Sequence, residues 1–168
     1  MIYAILALLG LMLVGWLFNR TPDAATRNWI LIDGSNVMYW ENEVPEVEPV
    51  RDAVELLIAK GYVPHVVFDA NAGHLVSDRY QGPSFFAMAL GLPEEQVTVM
   101  DKGAQADPFV LKMARRLNAR VVSNDRFRDL AKRFPEVRQR KHLIHGGYHK
   151  HKLWLDFDGS RPRAHKGR

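Results

Sequence analysis

Apolar residues run through this chain in two rhythms. Short unbroken stretches are of the kind that form buried strands, and longer stretches with an apolar residue every third or fourth position fit amphipathic helices. The run WILID predicts a strand at 29–33, followed by a helix at 48–60, a strand at 64–68 and a loop reaching Pro83. The rhythm then repeats: a short helix at 84–90, a strand at 96–100, a helix at 108–117, a strand at 119–123 and a further helix at 126–133. Two weaker apolar stretches, 142–144 and 152–157, read as edge strands. Strands that alternate with helices predict an α/β fold in three layers, a mainly parallel sheet with helices on both faces. No internal repeat and no glycine-rich phosphate loop is present, which excludes nucleotide-binding domains of the P-loop type.

The first residues follow a different pattern. Residues 1–18 carry no charged side chain, and as a helix they span roughly 27 Å, close to the ~30 Å of a hydrocarbon core. The segment lacks the basic start and the small-residue cleavage site of a secretory signal, so residues 1–20 read as a transmembrane anchor. Arg20 and Arg27 lie on its C-terminal side, and the positive-inside rule then leaves the rest of the chain in the cytoplasm, at the cell inner membrane. TPDAATRN at 21–28 is the linker, residues 29–157 form the domain, and 158–168 is a basic tail with Arg161, Arg163, Lys166 and Arg168 and no apolar run, which predicts disorder. The net charge of +4 points to a polyanionic partner, either a nucleic acid or the anionic leaflet. The absence of cysteine fits a reducing compartment.

Acids sit where strands end. Asp33 closes the first strand with Asn36 three residues on, Asp107 opens the 108–117 helix beside Pro108, Asp125 follows the 119–123 strand, and Asp129 lies four residues later. Four have a plain structural reading: Asp33 as a turn former with Gly34, Asn36 as the cap of a helical turn, Asp107 and Asp125 as helix caps. Asp129, four residues after Asp125 on one helix, asks for a cation that Arg126 or Arg128 can also supply. In a parallel sheet, however, the carboxyl ends of the strands share one rim where ligands bind. Two carboxylates about 4 Å apart repel by roughly 4 kcal/mol at an effective dielectric of about 20. A set of four calls for a cation, and Mg²⁺ or Mn²⁺ suits oxygen ligands.

The motifs IDGSN at 32–36, ADPFVLKMA at 106–114 and VVSNDRFRDL at 121–130 resemble, in this order, the NYN branch of the PIN-like nucleases, and in particular the Regnase type of endoribonuclease domain in a bacterial, membrane-anchored version. The resemblance covers most of residues 29–157. It implies a three-layer PIN-like fold and a Mg²⁺- or Mn²⁺-dependent endoribonuclease acting on single-stranded or stem-loop RNA. It further implies metal-binding acids at Asp33, Asp107, Asp125 and Asp129, with Asn36 orienting the ligands. In-line attack by a metal-activated water leaves 5′-phosphate and 3′-hydroxyl ends. The chain departs from the family pattern before the central helix, where two adjacent acids are replaced by Ala106 and Asp107, and it has no cysteines for a zinc finger. Asp69, in VVFDAN, ends another strand, and the sequence leaves its membership in the acidic set open.

Other readings share the chain. HLIHGGYHKHK at 142–152 carries His142, His145, His149 and His151 at a spacing that fits no common structural zinc site. With Tyr148 and Trp154 it reads as a basic, aromatic surface suited to RNA, or as a solvated hairpin. Lys102, Lys112, Arg115 and Arg116 flank the acids and can hold phosphates, although Arg115 and Arg116 equally suit the outer face of a helix. The alternatives to the nuclease are a non-catalytic, membrane-tethered RNA-binding module, a structural membrane protein whose tail contacts lipid, and a PIN-type toxin.

Overall fold

The computed structural model describes residues 27–77 and 79–160. These form a six-stranded sheet of order β3-β2-β1-β4-β5-β6, with β1 at Trp29–Asp33, β2 at Val63–Phe68, β3 at Val97–Val99, β4 at Arg120–Val122, β5 at Leu143–His149 and β6 at Lys152–Asp156. β1 to β5 pair in parallel and β6 returns antiparallel to β5. From β1 the chain first builds outward through β2 and β3, then crosses back to add β4 and β5 on the other side. The strand order therefore reverses between β1 and β4, the place where open α/β sheets bind ligands at the carboxyl ends of their strands.

Alternation along the central strands sorts side chains into two cores. Ile30, Ile32, Val66 and Phe68 face one side with Val50, Val54 and Leu57 of α2 (Glu48–Ala59) and with Phe86 and Leu90 of α4 (Pro83–Leu90). Leu31, Val67 and Val121 face the other, against Val110, Leu111 and Ala114 of α5 (Ala106–Leu117). Both faces of β1 are thus covered, as expected of parallel strands. Burying each of these large apolar side chains contributes roughly 1.5–3 kcal/mol, so the strand carrying Asp33 is among the most rigidly held. Two single-turn helices complete the set, α1 (Gly34–Val37) and α3 (Ala72–Leu75).

The expected three-layer sheet is present, and four local expectations need correction. Residues 126–133 form no helix: 126 and 127 are irregular and 128–133 are turns. Asp125 Oδ1 accepts a hydrogen bond from Phe127 N at 2.7 Å, and Phe127 takes a left-handed φ of 47° while its ring is fully buried. A local side-chain to backbone bond of this kind competes with helix formation. Asp129 is therefore not one helical turn beyond Asp125. Second, α5 begins at Ala106 with Gln105 as its N-cap and no side-chain cap bond, so Asp107 lies inside the first turn and does not cap the helix. Third, the cap of α1 is Asp33, whose side chain accepts from Asn36 N, and not Asn36 itself. Fourth, β5 is an interior strand; the sheet edges are β3 and β6.

The expected anchor at 1–20, most of the linker and residues 161–168 of the tail lie outside the described residues. Among the described residues no helix is long and apolar enough to cross a membrane.

Candidate functional site

Asp33 closes β1 at the carboxyl end of the sheet. It is buried at the end of β1, where Gly34 lets the chain turn into α1: a Cβ on Gly34 would stand 2.6 Å from the Phe68 ring. Both carboxylate oxygens have protein donors. Asn36 N donates to Oδ1 at 3.2 Å and the Ser123 hydroxyl to Oδ2 at 2.8 Å. Burial nevertheless pushes the Asp33 carboxyl up to about 7. The bonds from Ser123 and Asn36 pull it down, and repulsion from Asp107 and Asp69 raises it further. At neutral pH the group is therefore poised between its acid and its anion, and a nearby cation favours the anion.

Asp107 is the electrostatic centre. Half-buried in the first turn of α5, its carboxyl is raised by desolvation first and then by repulsion from Asp125, Asp69 and Asp129. With Asp69 and Asp129 it lines a cleft of ≈ 340 Å³ whose other walls include Gln105, Ala106 and Leu130. Of the four acids expected to act together, Asp107 and Asp129 line this cleft, whereas Asp33 and Asp125 lie outside its lining and reach Asp107 through their charge; Asp69 enters the cleft from the end of β2. Asp69 is set in place by Ser35, whose hydroxyl accepts from Asp69 N at 2.7 Å. Ala106, where the family pattern leads one to expect another acid, is buried in the α5 core. Among the described residues no group of three or more acidic, histidine or cysteine side chains is arranged to hold a metal ion as it stands.

Asn36 acts as a clip. Its Oδ1 accepts from the Trp40 indole at 2.9 Å and from Asn124 N at 2.9 Å, tying the loop after β1 to the loop after β4. Asn124 in turn exchanges two bonds with Gly146 of β5: Nδ2 donates to Gly146 O at 2.9 Å and Oδ1 accepts from Gly146 N at 3.1 Å. Ser123 accepts from Asp125 N at 3.0 Å while donating to Asp33, and its carbonyl is bonded to His145 Nδ1 at 2.9 Å. Sequence reasoning misses Ser123, Asn124, Ser35 and Trp40. A hydroxyl or amide next to a strand-end acid is the only signal they carry. With its amide oxygen occupied by two protein donors and its NH₂ without a partner among the described residues, Asn36 orients the loops and can donate to a ligand.

The expected basic and aromatic surface divides. The Tyr148 hydroxyl donates to Asp52 at 2.6 Å, and its titration is pushed far up by burial and by that bond; Trp154 lies half-buried over Gly147. His151 pairs with Glu41 at 3.0 Å, His145 with Ser123 O, His142 is partly buried with its pKa lowered mainly by desolvation, and His149 is exposed, so the four histidines do not share one site. Arg115 forms a two-pronged bond to Glu136 at 2.7 and 2.8 Å and also reaches Arg133 O. It belongs to the outer face of α5, as its helical spacing allows.

The donor set is all carboxylate, which is the chemistry of hard divalent cations. Mg²⁺ keeps several of its own waters and is held through one or two carboxylates. That suits acids which share a cleft and feel one another's charge without closing into a cage, so the residues fit such an ion.

A family model described as the Zc3h12a-like ribonuclease NYN domain matches residues 26–166. Two solved structures of nuclear proteinaceous RNase P 2 from Arabidopsis thaliana share the fold. One has a TM-score of 0.59 at 15% identity over 88% of this chain and 35% of its own, and the other a TM-score of 0.61 at 15% identity over 88% and 32%. The chain thus spans about a third of the length of those proteins. No curated protein matches its sequence.

Proposed function

The chain belongs to the Zc3h12a-like ribonuclease NYN domain family, and from that premise we propose that it is a metal-dependent endoribonuclease whose site is the acidic cleft at the carboxyl end of the sheet. The observation that carries the reading is that Asp69, Asp107 and Asp129 line one cleft, where their like charges are a cost that a divalent cation removes. Asp33, Asp107, Asp125 and Asp129 would hold Mg²⁺ or Mn²⁺, with Asp69 standing in for the acid that Ala106 lacks. When bound, such an ion neutralises phosphate charge and lowers the pKa of a water so that it can attack in line.

The rest of the chemistry falls to the protein. Ser123 and Asn36 N fix the Asp33 carboxylate through its two oxygens, so its orientation does not depend on a ligand. Asn36 holds the β1 and β4 loops at constant separation, and its free NH₂ can donate to a phosphate oxygen. The Asp125 backbone is locked by Ser123 and its side chain by Phe127 N, which leaves Asp125 Oδ2 for the ligand.

Incubating the full-length chain with labelled single-stranded RNA, single-stranded DNA and duplex RNA tests this. We expect cleavage of the RNA single strand in Mg²⁺ or Mn²⁺ and none in EDTA; binding without cleavage under any metal would favour the non-catalytic RNA-binding module. We further propose that residues 1–20 anchor the enzyme in the inner membrane with the domain facing the cytoplasm. A fluorescent reporter fused after Arg168 should then be bright and sediment with membranes, and a C-terminus accessible from outside would overturn this topology.

A further inference from the structure

Two clefts flank the acidic one, and they differ in chemistry. On the β2–β3 side a cleft of ≈ 410 Å³ is lined by His74, Tyr80, Met100, Asp101 and Lys102. Tyr80 is 58% exposed, and its ring stands 5.5 Å from that of His74 at 53°. Ala70 in its wall directly follows Asp69 of the acidic cleft, so the two are neighbours. On the other side a cleft of ≈ 460 Å³ runs from the 126–131 segment along β5 and β6, lined by Arg126, Arg128, Arg138, Arg140 and Lys141. Asp129 and Leu130 of the acidic cleft lie within the same series of turns as Arg128 and Ala131.

In the lining of this cleft one carboxylate, Asp156, stands against five cationic side chains. Lys141 meets Asp158 at 3.4 Å, but none of the four arginines forms an ion pair among the described residues. The carboxylate in that cleft, Asp156, accepts through Oδ1 from Asp158 N and Ser160 N, and its Oδ2 has no partner. Unpaired guanidiniums lining a concave surface suit the phosphates of a polyanion. An exposed tyrosine paired with a histidine, with a lysine beside them, suits the face of a nucleobase and its adjoining phosphate.

We propose that RNA crosses the acidic cleft as a single strand, one unpaired base seated against Tyr80 and His74 on the β2–β3 side and backbone phosphates lying in the arginine cleft along β5 and β6. This deepens the nuclease reading and rests on it for the place of the scissile bond. A base stacked on Tyr80 has left its pairing partner, so duplex is excluded on that side.

Equilibrium binding of the full-length Asp107→Asn protein in EDTA separates the inference from catalysis. The probes are one single-stranded oligoribonucleotide, its duplex, and versions with an abasic site stepped along the strand. Adding Tyr80→Ala should weaken single-strand binding roughly tenfold without changing its salt dependence, and Tyr80→Phe should bind as the parent. One abasic position should reproduce the Tyr80→Ala loss and show no further loss when combined with it. Adding Arg138→Gln and Arg140→Gln should flatten the slope of log K against log salt by about 0.7 for each phosphate the protein no longer neutralises, leaving the abasic profile intact. Parent-like binding by Tyr80→Ala, an unchanged salt slope in the arginine variant, or duplex bound as tightly as single strand would each overturn the inference. If this pattern is found but the wild-type chain cleaves no RNA in any metal, the strand path stands and the nuclease reading falls. If the wild-type chain cleaves RNA and the pattern is missing, the nuclease reading stands and the strand path falls.

Discussion

Asp107→Asn should lower RNA cleavage by at least about 100-fold, a loss of roughly 2.7 kcal/mol of transition-state stabilisation, while the fold stays intact. The reason lies in its position. Asp107 interacts with all four of the other acids, through its own raised carboxyl and through the effect it has on Asp33. It makes no cap bond that the helix would miss. Asparagine keeps the shape of the side chain and removes its charge, so the metal-free protein loses a source of repulsion and should be at least as stable as wild type to urea. Loss of activity together with unfolding would mean that Asp107 serves the helix; full activity would remove it from the site. Asp125→Asn should also abolish cleavage, and because asparagine can still accept from Phe127 N the turn is kept, so that variant too separates a ligand role from a structural one.

The second large effect is on stability against pH, and it is concealed in the wild-type chain. Asp33 is raised from an unfolded value of 3.8 to about 7. The native state therefore keeps a proton that the unfolded chain gives up, and this stabilisation, fully present below about pH 4, is lost as pH rises toward 7. His65, buried and bonded to Thr98 at 3.0 Å, is lowered from 6.5 to about 4 by burial and then by Arg116. Its contribution is present above pH 6.5 and lost as pH falls toward 4, the opposite slope over nearly the same window. Each is worth on the order of 3 kcal/mol across that window, so the two offset one another. Urea unfolding in EDTA should give a shallow profile for wild type between pH 4 and 6.5. Asp33→Asn should gain stability steeply as pH rises, with His142, also lowered by burial, adding to that slope. His65→Gln should lose stability as pH rises. Parallel profiles for all three proteins would show that the two buried groups do not titrate as their surroundings dictate.

The sheet is legible because parallel strands covered on both faces are written as unbroken apolar runs, and 29–33 and 64–68 carry that signal with acids at their ends. Only 142–144 of β5 shows in the sequence, because Gly146 and Gly147 interrupt its apolar run. For Gly146 the reason is close packing: a Cβ there would overlap the Trp40 ring. The 126–133 segment reads as a helix by composition, and its turns depend on one bond from Phe127 N to Asp125 and a left-handed φ, neither of which leaves a periodic trace. Asp69 carries the same strand-end signal as Asp33. Its entry into the cleft depends on how α5 packs beside β2, which spacing does not encode. The clip formed by Asn36, Trp40, Asn124 and Gly146 joins residues from three separated stretches and has no sequence signature at all.

The central claim is that the acids around Asp107 form a divalent-cation site, and thermal unfolding of the full-length chain with and without Mn²⁺ tests it without reference to activity. An ion bound only by the native state, at about 100 times its dissociation constant, adds about 2.7 kcal/mol of stability, which for a domain of this size raises the midpoint by roughly 10 °C. Wild type should show that rise, and Asp107→Asn should show little or none. An equal rise in both proteins, or none in wild type at saturating Mn²⁺, would contradict the account.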